Sequence, residues 1–329
     1  MPLALPRRDI MIEVNNLNFN YPTKRVLFDI NLKIGAGLIT ALVGPNGAGK
    51  TTLINCLVGL HAPAAGRVMF EDIDVAGSPR EAHRRMGYLP DFYGLYDELT
   101  VRQCLVHGAE MHGITRAEAK RLAEFSAARL NVADRLDDKV SSLSRGLTQR
   151  AAIARSIIHD PAFLVLDEPA AGLDPDARAQ LSALFRQLRD DGMTLLVSSH
   201  ILAELEDYCT DMIIIRDGRV VHQGIDAAAA DAEMPRRMSI ELAEPHGKFA
   251  EILASSDGIA ELRVDGTRAQ FHLAGGNAHQ FGLLKTLMAA GLPIIRYADE
   301  QERLQDTYHR TVAGNNGAGK AGNDGDEGA

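Results

Sequence analysis

The nine residues Gly44-Pro45-Asn46-Gly47-Ala48-Gly49-Lys50-Thr51-Thr52 fit the pattern G-x-x-x-x-G-K-[ST] without a gap, a pattern suited to holding a chain of phosphates. Glycines at 44, 47 and 49 let the backbone take positive φ. The N–H groups of the loop, those of Asn46, Ala48 and Thr52 among them, then come against phosphate oxygens. Lys50 adds a mobile cation, worth roughly 4 kcal/mol per unit charge at about 4 Å and an effective dielectric of about 20, before desolvation. Thr51 offers a hydroxyl to Mg²⁺. The setting favours a nucleotide site over an ordinary glycine-rich turn. Leu38 to Val43 is a short apolar run that reads as a buried strand, and Lys50 to Leu60 reads as a helix whose N-terminus points at the phosphates.

Further stretches offer groups of the kind that phosphate hydrolysis uses. Phe163-Leu164-Val165-Leu166 reads as a buried strand that delivers Asp167 and Glu168 at its end, the ligand side of an open α/β sheet. Asp167 is placed to hold Mg²⁺ through water, and Glu168 to orient or deprotonate an attacking water. A second apolar strand, Thr194 to Ser199, ends in His200. His200 thus occupies the same kind of strand end as Glu168, and the two together could contact one γ-phosphate; a structural histidine is the plainer alternative. Ser144 and Gly146 precede a helical pattern at Ile153, Ile157 and Ile158, where unpaired N–H groups and the helix dipole favour an anion. Capping alone explains the serine equally well. Tyr21, upstream of the loop, is either a base-stacking aromatic or a sheet-edge tyrosine.

These groups need a sizeable scaffold. With 329 residues, 46% of them hydrophobic, the chain has the length of two domains and can fill a core. No apolar run approaches the ~18 residues of a transmembrane helix, so the chain is not expected to cross a membrane by itself. The first residues place Arg7 and Arg8 after a very short apolar stretch broken by prolines, the wrong order and length for a secretory signal. Cys56, Cys104 and Cys209 stand alone, which suits a reducing cytosol. A formal net charge of -9 argues against nucleic acid as the main partner.

Residues 10 to 34 alternate as two strands around a Tyr21-Pro22 turn, and strands follow at Gly66–Phe70 and from Met86. From Leu99 to His159 the pattern turns helical, a helical insertion at about residues 95 to 160 within an α/β domain. Thr100 and Thr115 sit at N-cap positions, and Thr115 with Glu118 is expected to form a capping box. Ala171 to Pro175 makes a turn into a polar helix. Asp217-Gly218 marks a hairpin, and the first domain, 10 to 224, closes near Gly224. Residues 225 to 312 form an accessory domain that opens on an alanine-rich linker helix, Ala227 to Ala232. Its order, strand at 238 to 242, helix at 249 to 253, hairpin around Asp265-Gly266, helix at 281 to 288 and strand at 292 to 297, is the β-α-β-β-α-β ferredoxin-like plan. The glycine-rich tail, 313 to 329, is expected to be disordered. Its near-match to a second phosphate loop at Gly314 to Ala321 is composition, lacking the Ser/Thr and the flanking strand and helix.

Taken in order, these stretches resemble the ATP-binding subunits of ABC transporters over roughly residues 10 to 224. Gly44 to Thr52 looks like the Walker A motif, Phe163 to Glu168 like the Walker B strand with its catalytic glutamate, and Ala171 to Asp174 like the D-loop. His200 is similar to the switch histidine, Tyr21 to the base-stacking aromatic, and Leu143-Ser144-Arg145-Gly146 to the ABC signature. The signature is the specific element, since phosphate loops alone are common. The resemblance implies an α/β P-loop NTPase of ABC type, a mixed sheet core with a helical subdomain, followed here by the small α+β domain.

It further implies an ATPase using ATP and Mg²⁺, with Lys50, Thr51, Asp167, Glu168 and His200 in the family's roles. ATP is sandwiched between Walker A of one subunit and Ser144, Gly146 and Asp174 of the other, in a homodimer or with a paired ATPase subunit. The partner is an integral membrane permease, with the chain peripheral on the cytoplasmic face. Asp91 stands where the family has the Q-loop glutamine; it can still meet Mg²⁺, but it is a methylene shorter and adds negative charge. Arg145 replaces the commonest glycine of the signature. Both departures, and Glu302 to Tyr308 as a closing helix, resemble the exporter branch with C-terminal extensions. The alternatives are a nucleotide-gated interaction module outside transport and, within a membrane complex, a slow switch suggested by Asp91. Translation-factor relatives have two ATPase domains where this chain has one, and chromosome and repair relatives need longer coiled-coil arms than Asp91 to Leu143 allows.

Overall fold

The computed structural model describes residues 10–91, 94–205, 207–224, 236–274 and 276–299. The chain divides into two compact units, Met1–Gln223 and Gly224–Ala329. The expected linker helix at 227 to 232, the closing helix at 302 to 308 and the tail lie outside the described residues.

The first unit opens with β1 (Ile10–Tyr21), β2 (Lys24–Gly35), β3 (Ile39–Val43), α1 (Lys50–Leu57), β4 (Ala65–Phe70), β5 (Ile73–Asp74), α2 (Pro79–His83) and β6 (Met86–Leu89). Helices α3 (Val101–Met111), α4 (Arg116–Arg129) and α5 (Arg145–Ser156) follow without a strand between them. The unit closes with β7 (Phe163–Leu166), α6 (Pro175–Asp190), β8 (Thr194–Ser199), α7 (Leu202–Leu205), β9 (Asp211–Arg216) and β10 (Arg219–Gln223).

Two sheets result, and the burial pattern explains which strand joins which. Every residue of β3, β7 and β8 is buried, the signature of strands covered on both faces. They form the parallel centre of a six-stranded sheet ordered β10-β9-β3-β8-β7-β6, with β10 antiparallel at the edge. β1 and β2 alternate buried and exposed residues and build a four-stranded antiparallel sheet ordered β2-β1-β4-β5. One apolar cluster joins the sheets around α1, with Phe70 stacked on Phe163 at 6.3 Å between ring centroids. Because β3, β7 and β8 run parallel, their C-terminal ends share one edge, and Gly44, Asp167 and His200 each follow one of those ends.

The helices start where local chemistry satisfies their first N–H groups. Thr100 caps α3 in a full capping box with Gln103. The box expected at Thr115 does not form: Thr115 is the N-cap of α4 without a side-chain bond, and Glu118 turns instead to pair with Arg121 one turn on. Asp174 caps α6 through Ala177 N–H at 2.8 Å, with Pro175 in the first turn. Far from being polar all round, α6 buries Leu181, Leu184, Phe185 and Leu188.

In the second unit β11 (Arg236–Leu242), α8 (Phe249–Ala254), β12 (Ile259–Asp265), β13 (Arg268–Leu273), α9 (Gly276–Ala289) and β14 (Ile294–Asp299) form an antiparallel sheet ordered β12-β13-β11-β14. That is the ferredoxin-like arrangement, with its own core around Met238, Ile240, Phe249, Phe271 and Leu287. The turn between β12 and β13 uses Gly266 and Thr267, since Asp265 already pairs with Arg268.

In the first unit the loop after α5 carries a titratable pair. His159 lies stacked on His112, centroids 3.7 Å apart, and its Nε2–H donates to the Met86 carbonyl at 3.0 Å. Its Nδ1 is buried without a hydrogen-bond partner among the described residues. Burial above all, and then His112, push the His159 imidazole down to about 4, with His83 adding to the repulsion and Asp160 opposing it. The unfolded chain therefore binds a proton that the folded one refuses, so stability is intact above the ordinary histidine value of 6.5 and falls as pH drops toward 4. The loss is expected to be on the order of 3 kcal/mol. Urea unfolding of wild type and His159→Gln across this range is the check, with the variant showing the shallower slope.

Candidate functional site

The phosphate loop and the two acidic strand ends meet in the structure. α1 begins at Lys50 behind Gly49, which gives no side-chain cap, so the first-turn N–H groups are left to a ligand. Lys50 is 7% exposed; its Nζ donates to the Gly44 carbonyl at 2.8 Å and lies 3.5 Å from Glu168 Oε1. Thr51 Oγ1 donates to Asp167 Oδ2 at 2.8 Å. Asp167 is 1% exposed, and its Oδ1 accepts from Ser198 Oγ at 2.5 Å. The same Ser198 oxygen accepts from the Glu168 N–H at 2.8 Å. One hydroxyl thus fixes both acids against β8.

Glu168 has φ 50°, a left-handed conformation that costs a non-glycine residue about 1–3 kcal/mol. Its carboxylate is held from two sides, Lys50 at Oε1 and His200 Nδ1 at 2.8 Å from Oε2. Among the described residues no group of three or more His, Cys, Asp or Glu could hold a metal. The Thr51 and Asp167 pair is all-oxygen, the donor type that Mg²⁺ takes alongside substrate phosphates.

The β9–β10 hairpin supports the loop from behind. Its tip has Asp217 and Gly218 at φ 49° and 72°, as a two-residue type I′ turn requires. Gly218 N–H donates to Ala48 O at 3.0 Å, and Phe28 N–H donates to Gly218 O at 2.8 Å, so the tip clasps the loop and β2 together. A Cβ at Gly218 would overlap the Val26 carbonyl.

Other residues singled out in the sequence lie around this centre. Tyr21 ends β1 41% exposed, its hydroxyl 3.4 Å from Thr52 Oγ1 and its ring edge-on to Phe19 and His61. Asp91 follows β6, the strand beside β7, and is exposed. Burial, and then Asp167 and Asp91, push the Tyr88 hydroxyl up to about 12.

Ser144, Gly146 and Asp174 are not bonded to the phosphate loop by any hydrogen bond among the described residues. Ser144 is exposed and accepts from Leu147 N–H at 3.4 Å, capping its own helix. Gly146 faces Ala177, and the Arg145 guanidinium lies against the backbone of Gly172, in the space a side chain there would fill. The signature stretch therefore packs on the turn that leads into α6.

Three residues were not picked out from the sequence. Ser198 is one; Arg178 and Glu204 are the others. Arg178 Nη2 donates to Leu173 O at 2.9 Å while its Nε lies 3.3 Å from Glu204 Oε1, an ion pair without hydrogen-bond alignment. Glu204 Oε2 is 3.3 Å from Ser199 Oγ, next to His200. Burial pushes the Glu204 carboxyl up, against Arg178 and the Ser199 hydroxyl. The pair links the turn before α6 to the segment that holds His200. No motif spacing signals these contacts. For Ser198→Ala we expect about 1–3 kcal/mol of lost stability in urea unfolding, since a buried Asp167 oxygen loses its partner.

Comparison with known proteins identifies the family. The family model described as "ABC transporter" matches residues 27–171. The ABC transporter ATP-binding protein NatA of Bacillus subtilis (strain 168) is 34% identical over 197 residues, covering 60% of this chain and 80% of the relative. The Nod factor export ATP-binding protein I of Rhizobium meliloti is 33% identical over 290 residues, 84% of each chain. Among solved structures, cbiO1 from Clostridium perfringens, part of the ABC transporter complex cbiONQ, superposes with a TM-score of 0.62 at 28% identity, covering 66% of this chain and 89% of that one. With phosphate loop, acidic strand end, histidine and signature helix in this order, the chain belongs to the ATP-binding subunits of ABC transporters, and its first unit is an ATPase domain of that family.

Proposed function

We propose that this subunit hydrolyses ATP to drive export through a separate membrane permease, and that Glu168 is the residue on which turnover depends. The observation that carries this is the Lys50–Glu168–His200 arrangement beside the bond from Thr51 to the buried Asp167. The first-turn amides of α1 and the loop from Gly44 to Thr52 bind the phosphates, Asn46 and Ala48 contributing backbone N–H groups. Lys50 exchanges the Gly44 carbonyl for phosphate oxygens, and Tyr21 receives the base. Thr51 and Asp167 hold Mg²⁺, and Asp91, which follows the strand beside that of Asp167, adds a carboxylate in this reading; the ion supplies charge neutralisation at the phosphates. Glu168 accepts a proton from water as the oxygen attacks the γ-phosphorus and ADP departs. His200, bonded to Glu168, keeps that carboxylate aimed and offers a contact to the γ-phosphate.

Two ATPase subunits, identical or paired, close head to tail in this reading. Ser144, Gly146 and Asp174 of one complete the phosphate cage of the other. The support is the position of Ser144, exposed at the start of a 12-residue helix and unconnected to its own phosphate loop. Export follows the printed function of the Nod factor relatives, and the permease rests on membership of the transporter family, the clostridial neighbour being part of an ABC transporter complex. The subunit then works peripherally at the cytoplasmic face of the cell membrane, consistent with no described helix being long and apolar enough to span one. In domain terms, 10–224 is the motor, with its helical part at about 95–160, and 225–312 the accessory domain.

Glu168→Gln is expected to keep nucleotide affinity and lower turnover by about 10²–10⁴-fold, measured as phosphate release; retention of most of the activity removes Glu168 from this role. Asp91 is the one feature that favours a slow switch instead. In the assembled complex, a wild type already turning over at about 1 s⁻¹ or faster excludes that reading, whereas a slow wild type accelerated by Asp91→Gln supports it. The partner is tested by pull-down of the tagged chain from detergent-solubilised membranes. Stoichiometric recovery of a polytopic protein is the expected result; soluble partners only, under conditions that preserve a known membrane complex, count against transport.

A further inference from the structure

The second unit carries a sheet face that the nucleotide chemistry does not use. Met238, Ile240 and Leu242 of β11 and Ala269, Phe271 and Leu273 of β13 are buried in the core. Strand alternation therefore turns Ser239, Glu241, Arg268 and Gln270 to the opposite side. A cavity of about 430 Å³ lies over that side, within the ~300–1,000 Å³ usual for small-molecule sites.

The strand register sets charges across it in rows. Asp265, Arg268, Glu241 and Arg296 follow one another across the four strands, and Arg263, Gln270 and Ser239 form the adjacent row. Arg268 is held by Glu241, its Nε and Nη2 reaching the same carboxylate oxygen at 3.0 and 2.8 Å. Arg263 and Arg296, on the two outer strands, are exposed and have no carboxylate partner among the described residues. Planar guanidinium forks at both rims of a polar concavity match oxyanions at the two ends of one ligand.

We propose that this face binds a small organic anion carrying at least two carboxylate or phosphate groups, gripped from opposite rims by Arg263 and Arg296. Asp265 then accepts a hydroxyl of the same molecule. A nucleic-acid strand fits worse for two reasons. Among the described residues no aromatic ring lines the cavity for bases to stack on. The carboxylates of Asp265 and Glu241 within it repel a continuous phosphate backbone. A discrete anion places its charges only where the free arginines are.

The test uses the full chain saturated with Mg·ADP, so that the phosphate loop is occupied, titrated calorimetrically with citrate and with a hexose bisphosphate. Saturable one-site binding of either, with Kd below about 1 mM, is the expected result; citrate alone points to carboxylates and the bisphosphate alone to phosphates. Combining Arg263→Gln with Arg296→Gln should weaken it about 100-fold, roughly tenfold per arginine, while ATP turnover stays within about twofold of wild type. The proposal is overturned by the absence of saturable heat from both probes, or by binding that the double variant leaves unchanged. Tighter capture of single-stranded RNA than of either probe, lost in the same variant, also overturns it. Failure here leaves the transport reading untouched, because no residue of the phosphate loop is altered.

Discussion

A carboxylate that is 1% exposed must have its oxygens bonded, and for Asp167 that requirement joins three segments distant in the chain. One oxygen takes the Thr51 hydroxyl at the start of α1, the other the Ser198 hydroxyl at the end of β8. Both partners are neutral donors, so the negative charge is hydrogen-bonded without being cancelled. A cation brought by the nucleotide then gains more here than at a carboxylate already paired with lysine or arginine. Parallel pairing of β3, β8 and β7 makes the constraint possible, since only parallel neighbours bring the loop, the serine and the acid to one edge.

What could be read from the sequence was what is contiguous. The phosphate loop lies in nine consecutive residues, and its function follows from φ freedom, amide density and one lysine. The acids at 167 and 168 were legible because a fully apolar strand ends abruptly in them. Ser198 was not, although it fixes both: a serine at the end of an apolar strand has no distinguishing neighbour, and its contacts span about thirty positions of chain. The Asp217-Gly218 turn was legible by type, whereas its clasp on Ala48 arises only from sheet order. The misplaced capping box has a similar cause. Thr115 and Glu118 have the right spacing, but Arg121 lies one turn further on, and a full charge outcompetes a backbone N–H for that carboxylate.

The second unit divides differently. Its fold was legible because short alternating strands and two apolar helical faces in the order β-α-β-β-α-β leave few ways to bury both helices on one sheet. Its chemistry was not, because the residues on the open face are ordinary surface arginines when read singly. Register turns them into a pattern: Glu241 stands opposite both Arg268 and Arg296, yet bonds Arg268. One guanidinium is neutralised by that choice and the other is left for a ligand. Such a distinction exists only after strands are paired.

The proposed chemistry turns on a competition at Glu168. Lys50 lies within 3.5 Å of one of its oxygens and His200 within 2.8 Å of the other, so the carboxylate is restrained by two cationic or hydrogen-bonding groups at once. A triphosphate offers Lys50 several charged oxygens in place of one carbonyl and one carboxylate oxygen. Drawing Lys50 toward the phosphates loosens its hold on Oε1, and that oxygen becomes the one able to accept a proton from water. His200 keeps the other oxygen in place throughout, and Ser198 keeps the backbone of Glu168 in its left-handed conformation. Substrate arrival and release of the base are then one event, because the same lysine serves both. A hydrolytic base freed only when phosphate is bound needs no separate gate.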